Sequence, residues 1–150
     1  MRKEFFNELR DKDVTILTAD LGHGLFDGFK NVINVGIAEQ NMIGIAAGMA
    51  MMGKKVYCYS IISFLIMRAF DQIKVDIDQQ NLPVVLVGVG IDDEYEKEGV
   101  THWGYGDTEL ISILENFHIY EPDSIEKAMD IARDSLACPF PLYIRLRKNQ

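Results

Sequence analysis

The stretch PVVLVGV, Pro83 to Val89, places apolar side chains at nearly every position, so neither of its faces can be left in water. A strand of that kind is stable inside a sheet covered on both sides, as in parallel sheets whose crossover connections are helices. The rest of the chain supplies the other parts of such a sheet. Short runs rich in β-branched and aromatic residues recur as VTIL (Val14–Leu17), VINV (Val32–Val35), KVYCYS (Lys55–Ser60), FHIY (Phe117–Tyr120) and PLYIRL (Pro141–Leu146). Helical patterns fall between them, at Lys3–Arg10, Glu39–Met52, Phe64–Gln80, Asp107–Glu115 and Asp123–Ala137. Asp123-Ser124 reads as the amino-terminal cap of the last of these, and Pro139 as its stop. The expectation is an α/β fold: a three-layer sandwich around a mostly parallel sheet of about six strands, with residues 1–150 forming one domain.

Composition narrows what such a domain can bind. Fifteen basic against 23 acidic residues give a formal charge of −8, which argues against nucleic acid and anionic membrane as partners, although a local basic pocket for a phosphorylated ligand remains compatible. Cys58 and Cys138 lie far apart in apolar contexts, in no metal-type spacing, and read as buried thiols in a reducing compartment. The amino terminus, MRKEFFNELRDKD, is too charged for a signal peptide, and the expected localisation is cytoplasmic. The longest irregular stretch, Gly90–Gly106, follows the doubly apolar strand, and in open parallel sheets ligands collect at the carboxyl ends of strands.

One segment poses a chemical question. In VGIAEQN, Val35 to Asn41, a carboxylate stands at the head of the apolar run IGIAAGMAMMG. A purely structural answer exists, because the free N–H groups and the dipole of a helix start stabilise an acidic residue. The helix that follows is unusually thin: Gly44 and Gly48 share a stripe with Gln40 and Met52, and small residues four apart permit close approach of the sheet or of another subunit.

The functional answer comes from resemblance. VGIAEQNMIGIAAGMAMMGKK resembles the segment around the catalytic glutamate in the pyrimidine-binding domain of transketolase-type thiamine diphosphate enzymes. FLIMRAFDQIKVDIDQQNLPVV resembles the helix and strand that follow it in transketolase and in deoxyxylulose-phosphate synthase. EGVTHWGYGDTELISIL and TADLG (Thr18–Gly22) are similar to two further blocks, and the four occur in family order over essentially the whole chain. The fold implied is the thiamine diphosphate-binding fold, pyrimidine-type. The glutamate matching Glu39 would share a proton with the pyrimidine ring and so promote loss of the thiazolium C–H proton, a role helped by burial of the carboxyl group.

Other roles are carried over position by position. His102 matches a histidine near the substrate, and His23, between Gly22 and Gly24, falls where a hydroxyl side chain meets a sugar phosphate. Glu98 stands in place of an aspartate that recognises sugar hydroxyls, and Trp103 in place of a glutamine; both departures bear on which substrate is used. The aromatic ring that stacks on the aminopyrimidine lies three residues before the arginine of RAFDQ; that register holds Leu65 here, with Phe64 one position earlier, so either could serve. Arg68 is a cofactor-side candidate, with a helix-surface charge spaced to pair with Asp71 as the plainer reading. Arg2 aligns with a basic residue that reaches phosphate.

The GDG motif that marks a diphosphate and metal site does not occur. The resemblance therefore implies a split enzyme in which a separate diphosphate-binding transketolase subunit holds magnesium or another divalent metal, as an α2β2 assembly with self-association of this chain. The activity implied is transfer of a two-carbon ketol unit between carbonyl compounds, with a (phospho)sugar or keto substrate. The alternatives are a subunit of a deoxyxylulose-phosphate-synthase-like or oxo-acid dehydrogenase-like decarboxylating enzyme, and a non-catalytic scaffold for a partner subunit.

Overall fold

The computed structural model describes residues 1–148. Six strands form one sheet: β1 (Val14–Thr18), β2 (Val32–Asn34), β3 (Lys55–Ile61), β4 (Val85–Val89), β5 (His118–Tyr120) and β6 (Leu142–Leu146). Their order is β2-β1-β3-β4-β6-β5 and every pairing is parallel, so the mostly parallel sheet expected from sequence is parallel throughout. β3 and β4 occupy the centre. All five residues of β4 are buried, as a doubly apolar strand requires.

Consecutive side chains of a strand point to opposite faces, and each face has its own core. On one face Leu17, Cys58, Leu86 and Tyr143 pack with Met42, Ile43 and Ala46 of α2 (Glu39–Met51). That layer also contains α4 (Asp107–Ser112) and the helical segment Ser63–Asp78. On the other face Ile16, Tyr57, Tyr59, Val85 and Val87 pack with Phe5 and Phe6 of α1 (Arg2–Asn7) and with Ala128 and Ala132 of α5 (Ile125–Ser135). Ser124 caps α5 as expected, its hydroxyl accepting the Lys127 N–H at 3.2 Å. Among the described residues no helix is long and apolar enough to cross a membrane.

Two sequence expectations need correction. Cys58 is buried, but Cys138 is half-buried, because it lies past the end of α5 where the chain turns toward β6. The single helix expected over Phe64–Gln80 is instead a composite: π-helical Ser63–Met67, a short α3 (Phe70–Gln72) and π-helical Ile73–Asp78. Leu65, Ile66, Ala69, Ile73 and Ile77 are fully buried along it, so one face of the composite packs into the core, and its two π pieces are closed by i→i+5 rather than i→i+4 bonds.

The chain winds from β1 to β2 on one side and then to β3 on the other side of β1. At such a switch point the connections diverge and leave a crevice beyond the carboxyl ends of the strands. The connections following β1, β2, β3 and β4 carry His23, Glu39, Phe64 with Arg68, and His102 respectively, all on that same edge of the sheet.

Candidate functional site

Glu39 opens α2 at the switch point. Its amino-terminal neighbour Ala38 offers no side-chain cap, so the first turn of the helix keeps backbone N–H groups that favour a negative charge. The chain reaches that position through a turn built on Gly36, whose positive φ of 78° a side chain would strain. Asn34 holds the turn: its side-chain oxygen accepts from the Gly36 and Asp20 N–H groups, each at 2.9 Å. Asn34 thereby ties the loop after β1 to the approach to Glu39.

The Glu39 carboxylate is 1% exposed and satisfied by two partners from the β3 side. Ser60 donates its hydroxyl to Oε1 at 3.2 Å, and Arg68 donates from Nη1 to Oε2 at 2.8 Å. The arginine is 43% exposed, so this is a one-sided ion pair: one charge is inside the protein and the other at its rim. The spacing-of-three pairing with Asp71 read from sequence is not the contact formed. Arg68 reaches Glu39 instead, because the buried charge is the one that most needs a partner.

Phe64 and Leu65 separate clearly. Leu65 is fully buried in the α2 core and presents no surface to a ligand, which corrects its place among the cofactor-side candidates. Phe64 is half-buried, with the Arg68 guanidinium carbon 4.3 Å above its ring centroid and the His102 ring edge-on at 4.9 Å. A spacing of four, Phe64 to Arg68, puts the two side chains on one face of this helical stretch, and the guanidinium lies over the ring.

His102 ends a short 3₁₀ turn, Val100–His102, in the loop after β4, and its Nδ1 lies 3.0 Å from the Thr101 hydroxyl. Three further contacts fix this loop. Ser63 donates to the Thr101 carbonyl at 3.0 Å, the Gly104 N–H donates to the Asp92 carbonyl at 2.7 Å, and Asp107, 1% exposed, receives Arg145 Nε at 2.8 Å together with the Tyr143 hydroxyl. Gly104 has no room for more: a Cβ there would sit 2.5 Å from the Gly90 carbonyl oxygen. Tyr95 lies beside His102 at 6.2 Å between ring centroids, and its phenol is pushed up to about 12 by burial, so it is neutral at any physiological pH.

His23 and Glu98 lie apart from this group. His23 is exposed, in the loop after β1, and lines a cavity of about 510 Å³ together with Arg2, Lys3, Leu25 and Lys148. Arg2 also donates to the Tyr59 hydroxyl at 3.1 Å, which anchors it to the sheet. Glu98 is exposed in the turn Glu96–Glu98, with Lys148 Nζ 3.8 Å away, and lines a neighbouring cavity of about 370 Å³. Lys148 thus lines both. Trp103 stacks edge-on against Tyr105 at 6.1 Å, and its indole N–H is buried without a hydrogen-bond partner.

Glu39, Ser60, Phe64, Arg68 and His102 are brought together; His23 and Glu98 flank them around Lys148. Sequence reasoning missed Ser60 and Asn34. The signal for Ser60 was present, as a hydroxyl at the carboxyl end of an otherwise apolar and aromatic strand. A planar, nitrogen-containing group suits this cluster, as the Arg68 guanidinium demonstrates by lying over the Phe64 ring while donating to Glu39. Among the described residues no three His, Cys, Asp or Glu side chains stand close enough together to hold a metal ion.

Residues 7–150 match the model of the family described as transketolase, pyrimidine binding domain. The chain is 35% identical over 117 residues to the 6-deoxy-6-sulfo-D-fructose transketolase subunit SqwH of a Clostridium species, covering 78% of this chain and 36% of that one. It is 36% identical over 149 residues to 1-deoxy-D-xylulose-5-phosphate synthase of Clostridium tetani, covering 94% of this chain and 24% of that one. A solved split-gene transketolase, an inactive β4 tetramer, superposes with a TM-score of 0.85 at 25% identity, covering 98% of this chain and 51% of that one. The chain belongs to the transketolase pyrimidine-binding domain family. It spans between about a quarter and a half of the length of these relatives.

Proposed function

We propose that this chain is the pyrimidine-binding part of a transketolase-like enzyme divided over separate subunits, and that Glu39 is the group that activates thiamine diphosphate. The observation that carries the reading is the Glu39 carboxylate, 1% exposed at the head of α2 and linked to the Phe64 ring through the Arg68 guanidinium that touches both. A buried carboxyl group in hydrogen-bond reach of a ring nitrogen can hold or release the shared proton without solvent competing for it. Phe64 would stack the ring and Ser60 would hold Oε1 of Glu39, leaving Oε2, the oxygen that Arg68 reaches in the free chain, to meet the ring nitrogen. Bound there, thiamine diphosphate would supply a thiazolium ring able to store the electron pair released when a carbon–carbon bond breaks.

His102, with Nδ1 engaged by Thr101, would present Nε2 to a substrate oxygen. His23, with Arg2 and Lys148 around one cavity, supplies the basic wall that an anionic sugar or keto substrate requires, and Glu98 would accept from substrate hydroxyls at its edge. A partner subunit is proposed to hold the diphosphate through magnesium or another divalent metal, in an α2β2 arrangement. Two supports stand behind a divided enzyme: a relative whose name makes it one subunit of a transketolase, and a split-gene transketolase of closely similar fold. The face of α2 carrying Gly44, Gly48, Met51 and Met52 is uncharged and exposed, and is the proposed contact surface.

The test is co-purification with a diphosphate-binding transketolase subunit and an assay of ketol transfer with and without thiamine diphosphate. Wild type is expected to be active only with the cofactor, and Glu39→Gln to lose at least about 100-fold. Equal activity of the two would leave only the scaffold reading. The resemblance to deoxyxylulose-phosphate synthase supports a second, decarboxylating reading, distinguished by release of carbon dioxide from a 2-oxo acid donor in the same assay.

A further inference from the structure

The Arg68 guanidinium makes the two contacts that an aminopyrimidine would seek. It is a planar group of linked nitrogens, it lies 4.3 Å over the Phe64 ring centroid, and it gives an N–H to Glu39 Oε2 at 2.8 Å. Guanidinium planes and nitrogen heterocycles share this pair of preferences, a ring face to lie on and a carboxylate to donate to. With Oε1 of Glu39 already receiving Ser60 and the Phe64 ring already in a T-shaped contact with His102, Arg68 takes the other carboxylate oxygen and lies over the Phe64 ring.

We propose that Arg68 is a built-in stand-in for the aminopyrimidine, which seats itself between Glu39 and Phe64 in the free chain and must swing out before a ring can enter. Three features make it suited to that task. The side chain is 43% exposed, so its way to water is open. It sits at the junction of two helical pieces, where Ala69 leaves helical geometry (φ −106°, ψ 16°), so Arg68 is not locked inside a regular turn. And it neutralises a buried carboxylate that would otherwise lack a countercharge while the seat is empty of ligand. A seat closed in this way lowers apparent affinity by the fraction of molecules in which the arginine is out. Cofactor capture would thereby be coupled to anything that draws Arg68 away, such as an anionic group brought by the partner subunit.

This proposal rests on the reading of Glu39 and Phe64 as the aminopyrimidine seat, and its test separates the two. The full chain, labelled with ¹⁵N-arginine, is titrated with 4-amino-2,5-dimethylpyrimidine, and binding is measured in parallel for Arg68→Gln, Arg68→Lys and Glu39→Gln. In wild type the Arg68 side-chain resonance is expected to move to that of a solvated arginine as the probe saturates. Arg68→Gln is expected to bind the probe roughly tenfold more tightly, which corresponds to Arg68 being seated in about nine chains of ten, with Arg68→Lys between them. An unmoved Arg68 resonance at saturation, or equal or weaker binding by Arg68→Gln, overturns the proposal, as does failure of Arg68→Gln to bind at all. Unchanged binding by Glu39→Gln instead shows that the seat itself lies elsewhere, whatever Arg68 does.

Discussion

A carboxylate as buried as Glu39 persists only where hydrogen bonds and a countercharge replace the water it has lost, and Ser60 and Arg68 supply them. Asp107 meets the same need through a different solution. Its partner Arg145 is itself almost fully buried, Tyr143 adds a third contact, and Glu121 takes a second nitrogen of the same guanidinium. The difference in exposure between the two arginines matters: the Arg68 pair can open, whereas the Arg145 pair cannot do so without unfolding the strand. Removing one member of a buried pair strands the other charge, so Arg145→Met is expected to lower stability by about 3–5 kcal/mol in urea unfolding. Replacing Arg145 and Asp107 together by apolar residues is expected to cost much less than the sum of the single changes. Additive losses would mean that the two groups act independently.

At the scale of elements, α2 is the helix whose composition its own fold does not explain. Gly44 and Gly48 lie mid-helix, and a Cβ at either would meet nothing within 4 Å in this chain. Glycine in a helix interior costs about 0.5–1 kcal/mol relative to alanine, so these residues weaken the free chain without packing against anything in it. Gly44→Ala and Gly48→Ala are therefore expected to raise the stability of the free chain by that amount each while weakening subunit association in sedimentation. Unchanged association would remove α2 from the proposed interface. The strands were legible in the sequence because short β-branched and aromatic runs, apolar on both faces in PVVLVGV, leave few alternatives, and α2 because its apolar run opens at the VGIAEQN motif. The π pieces of the Phe64–Gln80 segment were not legible, because its apolar residues recur at ordinary helical spacing and π turns differ from α turns only in their hydrogen-bond register. Glu39 could be singled out by its motif and Arg68 as a cofactor-side candidate, but that Ser60 and Arg68 both bind the Glu39 carboxylate could not be read, since those contacts depend on how β3 and the helical segment after it bring distant residues together.

For the whole molecule, burial of phenols and a thiol sets the alkaline limit. Tyr57, Tyr59, Tyr95, Tyr143 and Cys58 are all pushed above their ordinary values, chiefly by burial. The unfolded chain sheds these protons from about pH 9 for the thiol and 10 for the phenols, while the folded chain keeps them. The unfolded state then binds fewer protons, so stability must fall as pH rises through this range, with the Tyr95 contribution exhausted near 12. Lys55 acts in the opposite sense: burial holds it below its ordinary 10.5, the folded state releases its proton first, and it offsets part of the loss just below that value. Urea midpoints measured from pH 8 to 11 should decline steeply above 9, and a flat profile would show that these groups are open to solvent in the folded chain.

The proposed role of Glu39 is control of a proton on bound thiamine diphosphate. Hydrogen–deuterium exchange at the thiazolium carbon, followed by quenched-flow NMR on the assembled complex, reads that control without requiring knowledge of the substrate. Glu39→Gln is expected to bind the cofactor yet slow the exchange by at least about 100-fold; exchange at the wild-type rate in a cofactor-loaded Glu39→Gln complex would contradict the account.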